Sequence, residues 1–212
     1  MENRSYNPEA LELRAITDDD GKRYIQGYAA VFNSRSKLLS DFGQLFYEEL
    51  EPGAFTNALN DDGLNVVFVA NHNREQLLAR SASGTLELKE DDRGLYFRAD
   101  VPDTQLGNDV YTLVERGDLF ENSFAFNLDS EGYRWTETDE EIPLRIISNV
   151  RKLMDVSVVT DGAYGETVVE ARGLKEFVDS KNEVEEEVEE TTDDTDDVKL
   201  RAKLIQLKNK NY

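Results

Sequence analysis

The chain has 212 residues and a formal net charge of −21, with 45 acidic and 24 basic side chains and no cysteine. That length admits one domain with a sizeable core plus an extension, while zero cysteine excludes disulfides, zinc–thiolate centres and a thiol nucleophile and fits a reducing compartment. An acidic surface repels phosphate, so no nucleic-acid partner is expected; the opening MENRSYNPEALELRA lacks the apolar core of a signal peptide and no apolar run approaches the ~20 residues of a membrane span, so a soluble, intracellular protein without a membrane partner is expected.

Residues 1–10 read as a flexible arm. From Leu11 to Thr167 short β-type runs alternate with turn signals. RYIQGYAAVF (23–32) is rich in β formers, and Gly27 is placed to mark a bulge. GAFTNALND (53–61) spaces Phe55, Ala58 and Leu59 for one face of a short helix. GLNVVFVANH (63–72) contains Val66, Val67, Phe68 and Val69, a run dense enough for a strand buried on both faces. TLELKEDDRGLYFRADV (85–101) alternates apolar and polar residues on both sides of DDRG, which signals a hairpin. TQLGNDVYTLVERGD (104–118) carries a Val110, Leu113, Val114 stripe and a C-cap candidate, Gly117, so a helix is expected. LFENSFAFNLD (119–129) reads as a strand, and LRIISNVRKLMDVSVVT (144–160) as one or two more.

Many β segments and few helices predict a mainly β fold with peripheral helices, in a closed or nearly closed barrel spanning 11–175. Residues 176–212 read as a charged tail, disordered or helical. Ten acids fall within 183–197 with no Lys or Arg between them, TTDDTDD is a breaker, and VKLRAKLIQLKNKNY is basic with Leu200, Leu204 and Leu207 at helical spacing. There is no internal repeat.

The chain has a single histidine, His72, after the buried-type strand, in ANHN. Any imidazole acid–base chemistry must use it; the alternative is a surface or capping histidine at a strand end. Ser123 stands inside an apolar β run with Phe124 and Phe126, and serine is a poor β former. It is either a nucleophile held rigidly on a strand or a hydroxyl bonded to nearby backbone. The setting is not a G-x-S-x-G elbow, which argues against an α/β-hydrolase. Asp155 in RKLMDVSVV enters an apolar strand, which is costly for an acid without a partner. It either orients an imidazole or pairs with Arg151 or Lys152. One histidine and no cysteine leave only carboxylates for a metal, and their clusters sit in turns or the tail, so no metal and no cofactor is expected. No phosphate-cradling glycine loop is present.

The ordered segments GYAAVFNS (27–34), EELEPGAFTNAL (48–59), VVFVANHNREQLLARSASGTLELKEDDRGLYFRADVPDT (66–104), VERGDLFENSFAFN (114–127) and LMDVSVVTDGAYGETVVEAR (153–172) resemble the prohead, or head-maturation, proteases of tailed phages. These are distantly similar to the herpesvirus capsid-maturation proteases. The resemblance covers about residues 11–172. It implies a β-barrel of the herpesvirus-protease type and a serine endopeptidase with His72 as base, Ser123 as nucleophile and Asp155 as the orienting third residue. Asp155 stands where many relatives have Glu in an L-x-E-V-S motif, one methylene longer. Gly162-Ala163-Tyr164 replaces the usual Pro-Ala-Tyr, and Ala125 stands where relatives often have Gly. The implied partners are a phage scaffolding protein, or a scaffold domain of the capsid protein, and the major capsid protein, with self-association and self-cleavage also implied. The implied location is the immature prohead in the host cytoplasm. Arg145, Arg151 and Arg172, or backbone amides, are the candidate donors to the oxyanion. A capsid-assembly factor that keeps the fold without catalysis is the alternative. The tail is expected to act as an address on scaffold or capsid, or to be removed by self-cleavage.

Overall fold

The structure is a computed structural model that describes residues 2–5, 12–41, 44–160, 174–175 and 177–181. The chain divides into two units, 1–171 and 172–212. The described part of the second unit is helical, and most of the charged tail lies outside the described residues. Among the described residues, all the strands belong to the first unit.

In chain order these are β1 (Glu2–Ser5), β2 (Arg14–Thr17), β3 (Arg23–Val31), β4 (Leu39–Asp41), β5 (Gln44–Leu50), helix α1 (Thr56–Leu59), β6 (Val67–Ala70) and β7 (Asn73–Arg80). Then follow β8 (Leu86–Glu90), β9 (Gly94–Asp100), helix α2 (Gln105–Arg116), β10 (Glu121–Asn127), β11 (Tyr133–Glu137), β12 (Pro143–Ile147) and β13 (Lys152–Val159). They form three sheets, ordered β1-β10-β13-β6-β7, β2-β3-β9-β8 and β11-β12-β5-β4. The mainly β character is as expected from the sequence. The barrel expectation is different: among the described residues each sheet is open, and no sheet's end strands pair with one another. Within the segment read as a loose arm, Glu2–Ser5 form β1, paired with β10.

The elements follow from local chemistry. The Asp91 carboxylate accepts from the amides of Arg93 at 2.9 Å and Gly94 at 3.1 Å, closing the β8–β9 hairpin that DDRG announced. A side chain at Gly94 would meet the Ala30 carbonyl oxygen at 2.0 Å, so only glycine lets β9 approach β3 there. The nearby bulge lies at Ala29 and not at Gly27, which pairs regularly with Phe97. Helix α2 begins where Thr104 accepts from the Gly107 amide and ends at Gly117, whose φ of 79° lets its amide reach the Leu113 and Val114 carbonyls. Its Val110 and Val114 are buried.

The core is aromatic. Phe68 and Phe97 lie 5.2 Å apart between the first two sheets, and Phe124 touches both Phe55 and Phe126. Each of these rings is fully buried, worth roughly 2–3 kcal/mol apiece in transfer free energy. The third sheet has a polar centre. Arg145 on β12 sits opposite Glu48 on the parallel strand β5. Both are 0% exposed, and Arg145 Nε lies 2.8 Å from Glu48 Oε2.

Candidate active site

Register across the first sheet decides which side chains share a face. Phe124, Val156 and Phe68 align across β10, β13 and β6 and point into the core. The adjacent rows, Ser123–Ser157–Val69 and Ala125–Asp155–Val67, therefore point to the opposite face, because side chains alternate along a strand. Past Ala125 the register slips, with Phe126 opposite Leu153, leaving Met154 as the extra residue on β13. Ser123 and Asp155 thus occupy one face, one row apart on neighbouring strands.

His72 comes from the far side of β13. It is the second residue of the two-residue connection Asn71–His72 between β6 and β7, flanked by the pair Ala70↔Asn73. Both residues have positive φ, 50° and 55°, as a type I′ hairpin turn demands. Asn and His tolerate this region better than most side chains. β13 clamps the turn. The Asn71 amide donates to the Val158 carbonyl at 2.8 Å, and Asn71 Oδ1 accepts from the Thr160 amide at 3.0 Å. The His72 amide donates to Ser157 Oγ at 2.9 Å, and that hydroxyl donates to the Val69 carbonyl at 3.0 Å. From this anchored turn the imidazole reaches across β13, which lies between β6 and the Ser123-bearing strand β10.

The three side chains singled out in the sequence meet. His72 Nδ1 is 2.7 Å from Asp155 Oδ1, and His72 Nε2 is 2.8 Å from Ser123 Oγ. With the carboxylate accepting from Nδ1–H, Nε2 presents its lone pair to the serine hydroxyl. Asp155 is 0% exposed, and its Oδ2 is buried without a hydrogen-bond partner. A carboxylate buried in this way is costly without a donor beside it, and the ring nitrogen supplies one. The shorter Asp reaches the ring, at 2.7 Å. Arg151, the alternative partner for Asp155, turns instead to Asp129 at 3.2 Å. Ser123 is 3% exposed and the His72 side chain 17%.

Two positioning residues escaped the sequence reading, Ser157 and Asn71. Their signals were present: a second hydroxyl at alternate spacing in DVSVV, and an Asn-His pair between two β runs, which is a hairpin turn pattern. Of the candidate oxyanion donors, Arg145 is committed to Glu48 in the third sheet, Arg151 is exposed, and Arg172 lies outside the described residues. Among the described residues no cluster of His, Cys, Asp or Glu is arranged to hold a metal ion, and no helix is long and apolar enough to cross a membrane.

A hydroxyl, an imidazole and a buried carboxylate linked in this order form the constellation by which serine hydrolases generate a nucleophile. The sequence matches the family model of the caudovirus prohead serine proteases over residues 9–180, and the chain belongs to that family. Among solved structures, the bacteriophage T4 capsid assembly protease, gp21, is similar at 14% identity and a TM-score of 0.47, covering 74% of this chain and 96% of that one. No curated relative matches the sequence.

Proposed function

We propose that this chain is an active serine endopeptidase, with Ser123 as nucleophile, His72 as general base and Asp155 as the orienting carboxylate. Its substrates are scaffold and capsid-protein segments, and itself, within the immature phage head in the host cytoplasm. The observation that carries the reading is the continuous link from Asp155 through both ring nitrogens of His72 to Ser123 Oγ, at 2.7 and 2.8 Å. Family membership supports the peptide bond as the target. A non-catalytic assembly factor would have no use for an imidazole bonded at one ring nitrogen to a buried carboxylate and at the other to a buried hydroxyl.

His72 Nε2 takes the Ser123 proton as Oγ attacks the peptide carbonyl carbon. The tetrahedral adduct collapses, the C–N bond breaks, and the imidazolium returns the proton to the leaving amine. Water, deprotonated by the same nitrogen, then hydrolyses the acyl-enzyme. Asp155 keeps Nδ1 protonated throughout, which fixes the working tautomer. The acidic surface suits a basic partner segment, and the tail is proposed to act as an address on scaffold or capsid.

Co-expression with the scaffold and capsid proteins tests the reading. The intact chain should yield new N-termini in both, and Ser123→Ala should leave both at full length while folding normally. Processing that persists in the Ser123→Ala variant would sink the assignment.

A further inference from the structure

Asn122 precedes the nucleophile on β10 and pairs with Val158 of β13. Side chains alternate along a strand, so with Ser123 on the face of the site, Asn122 shares the inner face with Phe124. It is an amide among apolar neighbours. Phe124, Val156 and Val158 all belong to the core, and Asn122 is itself 0% exposed. Its Nδ2 donates to the Tyr28 carbonyl of β3 at 3.3 Å, a bond from the first sheet to the second. That carbonyl stands at the β3 bulge, where Ala29 is the extra residue between the pairs Tyr28↔Tyr96 and Ala30↔Leu95. Among the described residues, Asn122 Oδ1 is buried and has no hydrogen-bond partner.

For stability alone this residue is a poor choice. One long hydrogen bond returns less than a buried, unpaired amide oxygen costs. Leucine has the same branched skeleton of heavy atoms and would bury apolar surface without that penalty. Asparagine is also a weak β former in the middle of a strand. A buried polar group that does not stabilise calls for another explanation. Direction supplies one, because a hydrogen bond fixes register where apolar contacts tolerate sliding.

β10 is a strand whose place needs fixing. Residues 121–126 are all buried, so the in-and-out alternation that ordinarily sets register is weak here. Its ladder with β13 already slips once, past Ala125. A slip of one residue would turn Ser123 toward the core. Even a partial shift matters, since the Ser123 Oγ to His72 Nε2 contact is 2.8 Å and a misplacement of about 1 Å costs on the order of a hundredfold in rate.

We propose that Asn122 is a positioning residue for the nucleophile. Its bond to the bulge carbonyl of β3 pins β10 in the register that brings Ser123 Oγ to the imidazole. Ser157 and Asn71 hold the imidazole side of the same contact. This rests on the proteolytic reading of Ser123.

The experiment compares the parent chain with Asn122→Leu and Asn122→Ala. The leucine variant should have a urea midpoint at or above that of the parent, and the alanine variant, with a cavity, a lower one. On a capsid-derived peptide, kcat should fall about tenfold or more in both at unchanged KM. Fluorophosphonate labelling of Ser123 in the folded fraction should slow by a similar factor. Equal losses in variants of opposite stability mean that activity follows the missing donor. Parental kcat and labelling in the leucine variant, or losses that track stability, would overturn the proposal. If leucine overpacks the site and the variant does not fold, parental kcat in folded alanine variant overturns it equally. A crystal structure of either folded variant gives a readout apart from turnover. The Ser123 Oγ to His72 Nε2 separation should open beyond about 3.5 Å, and an unchanged 2.8 Å contact would contradict the pin. If the parent itself neither cleaves nor is labelled, the proteolytic reading fails, and that separation still decides whether Asn122 places the hydroxyl.

Discussion

At the residue scale, the site depends on contacts that differ in what their loss removes. Asp155→Asn keeps the shape but replaces an acceptor-only carboxylate with an amide that can donate to Nδ1. That favours the wrong tautomer, and kcat is expected to fall by about 10⁴ while the denaturation midpoint changes little. Ser157 acts one step further back. Ser157→Ala removes the acceptor for the His72 amide and the donor to the Val69 carbonyl, for a loss of about 1 kcal/mol in stability. Its effect on kcat/KM, about tenfold, should be recovered by Ser157→Thr, which restores the hydroxyl. A purely structural role would lower stability without lowering kcat/KM of the protein that remains folded.

His72, Ser123 and Asp155 were legible as candidates because each is chemically out of place: a sole imidazole, a hydroxyl in an apolar run, an acid entering a strand. What the sequence could not show was that they meet. Their separations along the chain, 51 and 83 residues, are bridged by strand order, and nothing local to ANHN or NSFAF encodes that β13 lies between β6 and β10. Ordered resemblance supplied the grouping; the register supplies its physical cause.

At the scale of elements, the hairpin at DDRG, the short helix at 56–59, the capped helix after Thr104 and the doubly buried β6 were all readable from periodicity and turn chemistry. The bulge was displaced from Gly27 to Ala29 because close approach of β9, at Gly94, was the tighter constraint. Closure into a barrel is not seen among the described residues, and alternation could not decide it, since alternating strands look the same whether or not their sheet's ends join. The third sheet is tied at one end by Arg134 on β11 and Glu51, which follows β5, with Arg134 Nη2 2.6 Å from Glu51 Oε1. Hydrogen bonding from Arg134 holds the Glu51 carboxyl below its ordinary value of 4.5. A lowered carboxylate adds stability above its unfolded value and loses it as pH drops through the folded one. Arg134→Ala should therefore cost below about 1 kcal/mol at pH 7, given the pair's exposure. The difference from the parent should close as pH falls below 4.5, readable from urea midpoints across pH.

At the scale of the whole molecule, the proposed catalytic residues and the buried ion pair belong to different sheets. The triad occupies the first sheet, whereas the fully buried Glu48–Arg145 pair, with Phe46, Tyr133 and Trp135 around the guanidinium, organises the third. Glu48→Ala leaves a buried cation without its carboxylate and should cost about 3–5 kcal/mol. Labelling of Ser123 in the folded fraction should be unchanged. A loss of labelling in protein that remains folded would show that the third sheet shapes the site directly.

The reach of a lone imidazole across β13 also hands the experimenter a reporter. In nitrogen-15 spectra, every imidazole resonance of this chain arises from His72, so no assignment among histidines is required. Proton placement on Nδ1 or Nε2 and the arrival of a peptide can each be followed at the same two atoms.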